Sequence, residues 1–349
     1  MLKTGPLKVI HETKFNSIYA QITNKEFTAL GFSLGDSLDV YFSNGFTILD
    51  IPYYDGFYTK TGEYLVSGYP SYPYVSIGIN NKPIWPVSGC KDEGDTVEIC
   101  LHEKGKYLAR QEAFSQKHPP VRDYYISDEA FANFRPVNAK KLKKDFLIRG
   151  GSTICNDFGF MKTADDLIAK HNVQYILNLS ETREELDNIM ANIHDYYTNI
   201  LYEKNAISCL DLSANPRDQK YAIKLCNGFK EMMAYNKGPV YYHCVEGKDR
   251  TGFVSILLMA LGGGSLDDFE KDYMMTYSNF YYVNKEKTPE KYKLIYDLYF
   301  ITNVMNFLCG TEDETDFSNY DYYQCATDYL RFGGMSEEEI KQFIEYICI

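Results

Sequence analysis

No two of the nine cysteines in this 349-residue chain stand in a C-x-x-C pair, and its six histidines are scattered without ligand spacing. A structural zinc site is therefore not expected, and neither a metal nor any other cofactor is implied. An odd cysteine count without paired spacings also argues against a disulfide framework and for free thiols in a reducing compartment. Long apolar runs are missing too. No stretch approaches membrane-spanning length, and Met1-Leu2-Lys3-Thr4-Gly5-Pro6 lacks the apolar run of a signal peptide. The expectation is a cytoplasmic protein with no integral membrane segment. Positive charge is scarce: 36 Lys and Arg face 48 Asp and Glu, a formal charge of −12. That balance argues against nucleic-acid binding and broad attraction to anionic membranes. The one basic cluster, Lys140-Lys141-Leu142-Lys143-Lys144, is expected to be a solvated linker that could also help to hold a polyphosphorylated substrate. No internal repeat is visible, and the acidic segment 311–321 lacks the glycine and final glutamate of a calcium loop.

With 45% hydrophobic and 24% charged residues the composition is that of a folded protein, long enough for a small domain and a larger one. Residues 1–120 read as a small all-β barrel or sandwich. Short alternating runs such as Ser37-Leu38-Asp39-Val40-Tyr41-Phe42, Thr47-Ile48-Leu49-Asp50-Ile51 and Thr96-Val97-Glu98-Ile99-Cys100-Leu101 are separated by turn signals, among them Ser43-Asn44-Gly45 and Asp92-Glu93-Gly94. His11 and His102 are expected to be surface or packing residues there. A connection over 116–144, carrying His118-Pro119-Pro120, marks a boundary. From 121 to 349 strands and helices alternate, which argues for an α/β layer with its site at the strands' carboxyl ends. Buried strands are expected at 173–179 and 206–210. A helix is expected over 218–236 with Ala222, Leu225, Phe229 and Met232 on one face. The last helix should open with the capping box Ser336-x-x-Glu339.

The chemistry concentrates in Tyr241-Tyr242-His243-Cys244-Val245-Glu246-Gly247-Lys248-Asp249-Arg250-Thr251-Gly252. C-x5-R spacing by itself is weak, since nine cysteines and eight arginines should give one by chance roughly 0.2 times. Indeed a second occurs, Cys325 to Arg331, but it has no glycine and good helix residues throughout, so it is expected to lie along a helix. The Cys244 run differs. It follows the β-prone Val240-Tyr241-Tyr242, contains Gly247 and Gly252, and leads into an apolar helical stretch that Gly262-Gly263-Gly264 stops. Strand, glycine loop and buried helix make an anion cradle: backbone N–H groups and the helix's positive end favour an anion, and a thiolate over a thiol. Arg250 adds a planar fork that matches two phosphoryl oxygens. It is not a Walker loop, because Asp249 follows Gly247-Lys248 and no glycine stands five positions earlier. The run reads as the centre of a cysteine-dependent phosphatase.

His243-Cys244-x-x-Gly247-Lys248-Asp249-Arg250-Thr251-Gly252 resembles the signature of the bacterial tyrosine phosphatases with H-C-x-x-G-K-D-R-T-G, a branch of the cysteine phosphatases that also acts on lipids. Further likenesses are Phe146-Leu147-Ile148-Arg149-Gly150 to the family's first strand, Asp272-Tyr273-Met274-Met275 to its Asp-Tyr segment, and Phe131-Ala132-Asn133-Phe134-Arg135 to a segment just upstream. The chain departs from the family's Asp-Leu-Arg at Asn178-Leu179-Ser180. The resemblance implies an α/β cysteine-phosphatase fold, a central sheet flanked by helices, over 121–349. The N-terminal region weakly resembles the β-barrel of the SAM-hydroxide adenosyltransferases, through Gly35-Asp36-Ser37-Leu38-Asp39-Val40 and Gly62-Glu63-Tyr64-Leu65; at most this implies an accessory docking role.

The expected reaction is a two-step phosphoryl transfer through phosphocysteine. Cys244 is the nucleophile, and Arg250 with the loop of Val245, Glu246 and Gly247 holds the phosphoryl oxygens. His243 orients the loop, Thr251 donates to the sulfur in the second step, and Lys248 places a charge at the mouth. Three carboxylates compete as general acid: Asp211, ahead of Asn215-Pro216 as in the mobile acid loop of other cysteine phosphatases; Asp249, within the loop, which the family resemblance suggests can serve; and, more remotely, Asp218. The expected substrate is a phosphotyrosine protein. A phosphoinositide or inositol phosphate is the alternative, and an inert phosphate-binding module is the alternative of another class.

Overall fold

Alternating strands in the first third of the chain close on themselves. A computed structural model describes every residue except 1, 14, 71, 92, 93, 116 and 117. Asp92 and Glu93 of the expected turn, and the start of the expected connection at Gln116, thus lie outside the described residues. Two units form, Met1–Gln116 and Lys117–Ile349. The first holds β1 (Leu7–Glu12), β2 (Ser17–Ala20), β3 (Ser37–Phe42), β4 (Thr47–Tyr54), β5 (Tyr64–Ser67), β6 (Val75–Ile79) and β7 (Thr96–Glu103). They make a closed barrel in the order β1-β2-β6-β5-β4-β3-β7, which leaves no free sheet edge. Inward positions such as Val9, Ile18, Val40, Val66, Ile77 and Ile99 form its core. β4 runs past the expected Ile51 through Pro52 to Tyr53 and Tyr54, which pair in parallel with Val66 and Ser67. Proline hides such an extension in the sequence, because its missing N–H weakens a strand reading. His102 is an exposed partner of Asp39, and His11 stacks on Trp85.

The second unit has a five-stranded sheet of β8 (Arg135–Pro136), β9 (Leu147–Gly150), β10 (Tyr175–Asn178), β11 (Ile207–Cys209) and β12 (Val240–His243), in the order β11-β10-β12-β9-β8. All pairs are parallel except β8 with β9. Residues of β9, β10 and β12 are buried throughout, as suits strands covered on both faces. The register aligns Gly150, Asn178, Cys209 and His243, so the loops that follow all four parallel strands open at one edge. β12 is the middle strand and feeds helix Asp249–Leu261, every residue of which is buried from Thr251 onward. A helix apolar all round belongs in a core. The expected face of helix Gln219–Tyr235 is buried, Cys325 and Arg331 lie in helix Tyr322–Phe332, and Ser336 caps the last helix in a reciprocal box with Glu339.

The lysine cluster differs from expectation. Lys141 N–H donates to the Gly262 carbonyl at 2.8 Å, Lys143 N–H to that of Ile347 at 2.9 Å, and Leu142 is buried between them. The alternation of one apolar residue among lysines is a seam rather than a solvated linker, with the Lys143 ammonium on the Tyr346 carbonyl at 2.6 Å. No helix among the described residues is long and apolar enough to cross a membrane.

Candidate active site

Cys244 begins the loop 244–248 at the carboxyl end of β12 and is buried, with 4% of its surface exposed. The carbonyls of Val245 and Gly247 turn back into the protein. That of Val245 accepts from Ser152 N–H at 3.1 Å, and that of Gly247 accepts from Asn133 Nδ2 at 2.9 Å and Arg149 Nη2 at 2.6 Å. Among the described residues, the N–H groups of Val245, Glu246, Gly247 and Lys248 donate to no protein acceptor. They join the unpaired N–H groups of the first turn of helix Asp249–Leu261, where an anion is favoured. Gly247 has φ +69°, and a Cβ there would lie 2.2 Å from the Gly150 carbonyl oxygen. Only glycine meets both requirements.

A buried charge network holds the Gly247 carbonyl. Arg149, fully buried, pairs with Asp272, which also accepts from Arg135 Nε at 2.8 Å. Arg135 in turn donates to the Asn133 side chain at 2.6 Å and to Thr276 at 3.1 Å. Burial alone would raise the Asp272 pKa, but the two guanidiniums overcome it and hold the group below the usual carboxylate range. Burial and the neighbouring Arg149 push Arg135 down to about 10. The three segments that carry the family likeness thus meet behind one carbonyl, in a role that local sequence does not reveal.

His243 is buried and its Nδ1–H donates to the Cys244 carbonyl at 3.2 Å. Burial foremost, helped by Arg250, pushes its pKa down to about 4, so the ring is neutral at pH 7. Arg250 is half-buried and donates from Nη1 to the Leu212 carbonyl at 3.2 Å. The Thr251 hydroxyl and the Tyr221 hydroxyl are buried and without a protein partner among the described residues. Tyr221 lies within the electrostatic reach of both Cys244 and Arg250.

The rim is crowded with charge. Lys248 Nζ sits 3.1 Å from Glu246 and 3.7 Å from Asp249, with its side chain 19% exposed. Burial works against the ammonium, but Asp249 and Glu246 outweigh it and raise its pKa well above the ordinary value. Glu246 is held down to about 2: burial opposes this, and Lys248 and His118 override it. His118, in the segment expected as a connection, is buried between Phe158 and Phe280, with Nε2 3.5 Å from Glu246. Asp249 has 64% of its side chain exposed; desolvation and the nearby Glu246 push its pKa up, against the pull of Lys248 and Arg250.

Asp211 is placed differently. It is exposed, has φ +44°, and its carboxylate accepts from Lys224 at 2.8 Å rather than from a loop residue. Asp218 caps its helix by accepting from Lys220 N–H at 2.9 Å. Sequence reading also passed over Glu181, just after the Asn178-Leu179-Ser180 departure. Burial raises its pKa, the Asn178 amide and Arg250 pull it down, and one of its oxygens has no partner among the described residues. No group of three or more His, Cys, Asp or Glu among the described residues could hold a metal ion.

Residues 130–348 match the model of the tyrosine phosphatase family. The chain belongs to that family. No curated protein matches it. Among solved structures it is similar to an uncharacterised conserved protein from Thermotoga maritima, at 25% identity with a TM-score of 0.24 over 29% of this chain. The match spans only 36% of the Thermotoga protein's length. It is also similar to the core catalytic domain of the PP-IP phosphatase SIW14 from S. cerevisiae, at 18% identity with a TM-score of 0.28, over 46% of this chain and 83% of that one. Family membership supports phosphatase activity.

Proposed function

We propose that this phosphatase hydrolyses phosphomonoesters through a phosphocysteine at Cys244 and that its substrate is an aryl ester of the phosphotyrosine kind. The observation that carries the reading is the run of unpaired N–H groups that follows a buried cysteine, with the carbonyls of Val245 and Gly247 tied back into the protein. In the first step Cys244 Sγ attacks phosphorus, the P–O ester bond breaks, and the leaving oxygen takes a proton from a carboxyl group. Arg250 and the loop amides, with the residues Val245, Glu246 and Gly247, hold the equatorial oxygens. In the second step the same carboxylate takes a proton from water as the water's oxygen attacks phosphorus. The P–S bond breaks, phosphate leaves, and the Thr251 hydroxyl supports the departing sulfur. Neutral His243 keeps the loop in place through the Cys244 carbonyl.

We assign the acid to Asp249 rather than Asp211. Asp249 stands next to Arg250 in an environment that favours its protonated form, whereas Asp211 is engaged by Lys224. The aryl reading over the inositol-phosphate one rests on Lys248. Its ammonium is already met by two carboxylates, which leaves little free positive charge at the rim for a second phosphate.

The test is phosphate release from phosphotyrosine peptides, phosphoinositides and inositol phosphates, with wild type and Cys244→Ser side by side under reducing conditions. Turnover of the peptides that falls at least about a thousandfold in the variant is expected. Preference for a polyphosphorylated inositol would overturn the substrate assignment. No turnover by wild type would leave a phosphate-binding module.

A further inference from the structure

A second cysteine site lies in the same unit. A cleft of about 560 Å³ is lined by Arg217, Phe307, Cys309, Cys325, Tyr329 and Phe332, among others. Cys309 closes the short helix Asn306–Leu308, and Cys325 lies on helix Tyr322–Phe332. Both are partly exposed and neither is in a disulfide. Both side chains line this one cleft, and each thiol is the largest influence on the other's protonation. The Cys309 S–H favours the Cys325 thiolate over opposition from burial, Asp321 and Asp328, and Cys309 is correspondingly raised. Six other cysteines, at 90, 100, 155, 209, 226 and 348, have thiols pushed up chiefly by burial, and no cysteine figures among the groups that act on them.

Both walls of the cleft grip the loop 211–218. On the Cys309 side, Arg217 Nη2 donates to the Thr311 carbonyl, and its guanidinium lies 4.8 Å over the Phe307 ring. On the Cys325 side, the Tyr329 hydroxyl donates to the Pro216 carbonyl at 2.8 Å. The same loop presents the Leu212 carbonyl to Arg250. A change in spacing between the two walls therefore reaches the candidate active site through contiguous bonds.

We propose that Cys309 and Cys325 form a hydroperoxide-sensitive dithiol whose closure to a disulfide shifts the loop 211–218. The Cys325 thiolate attacks one peroxide oxygen and the O–O bond breaks. The other oxygen leaves with a proton as water or alcohol, and Cys325 becomes a sulfenic acid. The Cys309 sulfur then attacks the Cys325 sulfur, the S–O bond breaks, and the departing hydroxide takes the Cys309 proton as water. Two thiols lose two electrons in all, the peroxide gains them, and a thiol reductant reverses the change. The consequence for Arg250 rests on its proposed phosphate-binding role; the disulfide itself does not.

The experiment uses the Cys244→Ser full-length chain, which removes oxidation at the candidate nucleophile. After hydrogen peroxide, alkylation and peptide mass mapping should find Cys309 linked to Cys325, with the loss of two hydrogens, restored by dithiothreitol. Cys309→Ser and Cys325→Ser should each abolish the link. If either variant fails to fold, the alkylation result on the Cys244→Ser chain decides alone. Hydrogen exchange at the amides of 211–218 should change at least about threefold on oxidation. Both thiols still alkylatable after peroxide, or a lasting sulfenic acid on Cys325 without the link, would overturn the dithiol. A link formed with unchanged exchange would overturn the coupling to the loop.

Discussion

Asp272→Asn tests whether the loop is held from behind by charge. The carboxylate is 10% exposed and faces two guanidiniums, Arg149 with none of its side chain exposed and Arg135 with 9%. At such burial solvent screening gives little relief. Neutralising Asp272 leaves two positive charges in the core with no anionic partner, and breaking a buried pair in this way costs about 3–5 kcal/mol. For a unit of this size each kcal/mol moves the melting temperature by about 2–4 °C, so a fall of about 6–20 °C is expected. Far-UV circular dichroism follows the helix-rich unit, while the single tryptophan, Trp85, reports on the barrel. The pH dependence has a definite sign. Asp272 has a folded pKa below its unfolded value, so its contribution is complete above about pH 4 and is lost as pH falls through the folded value. The variant should therefore lose part of the acid limb of the stability profile. Arg149 Nη2 also fixes the Gly247 carbonyl, so kcat/KM should drop about tenfold to a hundredfold, or about 1–3 kcal/mol of transition-state stabilisation. A variant within about 1 kcal/mol of wild type, with full turnover, would refute the bracing argument.

Three further substitutions probe the loop and the first turn of the helix after it, with Asp211→Asn as a control. Gly247→Ala should lose about 1–2 kcal/mol to its left-handed backbone and more to the clash with the Gly150 carbonyl; phosphate release and inhibition by inorganic phosphate should both weaken at least tenfold (about 1.4 kcal/mol). Asp249→Asn should lower kcat by about 10²–10⁴-fold, more for alkyl than for nitrophenyl esters. It should also remove the decline in rate as pH rises through the acid's pKa, whereas Asp211→Asn should stay within about threefold of wild type; the reverse order would return the acid role to Asp211. Thr251→Val removes a buried hydroxyl with no protein partner, so stability should hold or rise by up to about 1 kcal/mol. Stopped-flow kinetics should instead show a burst, as phosphocysteine breaks down more slowly.

What could be read from the sequence was local. The chain's run from β12 through Gly247 into an all-buried helix is contiguous, and its glycine, thiol and arginine declare their chemistry without help from distant residues. Alternation and turn chemistry were enough for a barrel-like reading of the first unit. The order β11-β10-β12-β9-β8 was not legible, because strand pairing across long separations leaves no mark on local pattern. The same holds for Arg135 and Asp272, which meet across 137 positions. His118-Pro119-Pro120 reads as punctuation, and only folding sandwiches His118 between phenylalanines and brings it to Glu246. Asp211 shows a related limit: spacing ahead of a cysteine suggests an acid loop, but the partner of its carboxylate, Lys224 in the next helix, lies outside that local pattern.

The network behind the loop follows from the chemistry in front of it. A ring of N–H groups can face an anion only if the intervening carbonyls face the other way, into the protein, where each needs a donor. Backbone donors suffice for Val245, which takes the Ser152 N–H. Gly247 takes two side-chain donors, and one of them is a guanidinium with no access to water. A buried guanidinium requires an anion, hence Asp272, and Asp272 is shared with Arg135, which ends on Asn133, the other donor to Gly247. The chain of requirements closes on the carbonyl where it began. Positive potential at the candidate site then comes from backbone dipoles and Arg250, while Lys248 is balanced by Glu246 and Asp249. A site so arranged matches one phosphoryl group better than several, which is the physical basis for expecting a substrate with a single phosphate.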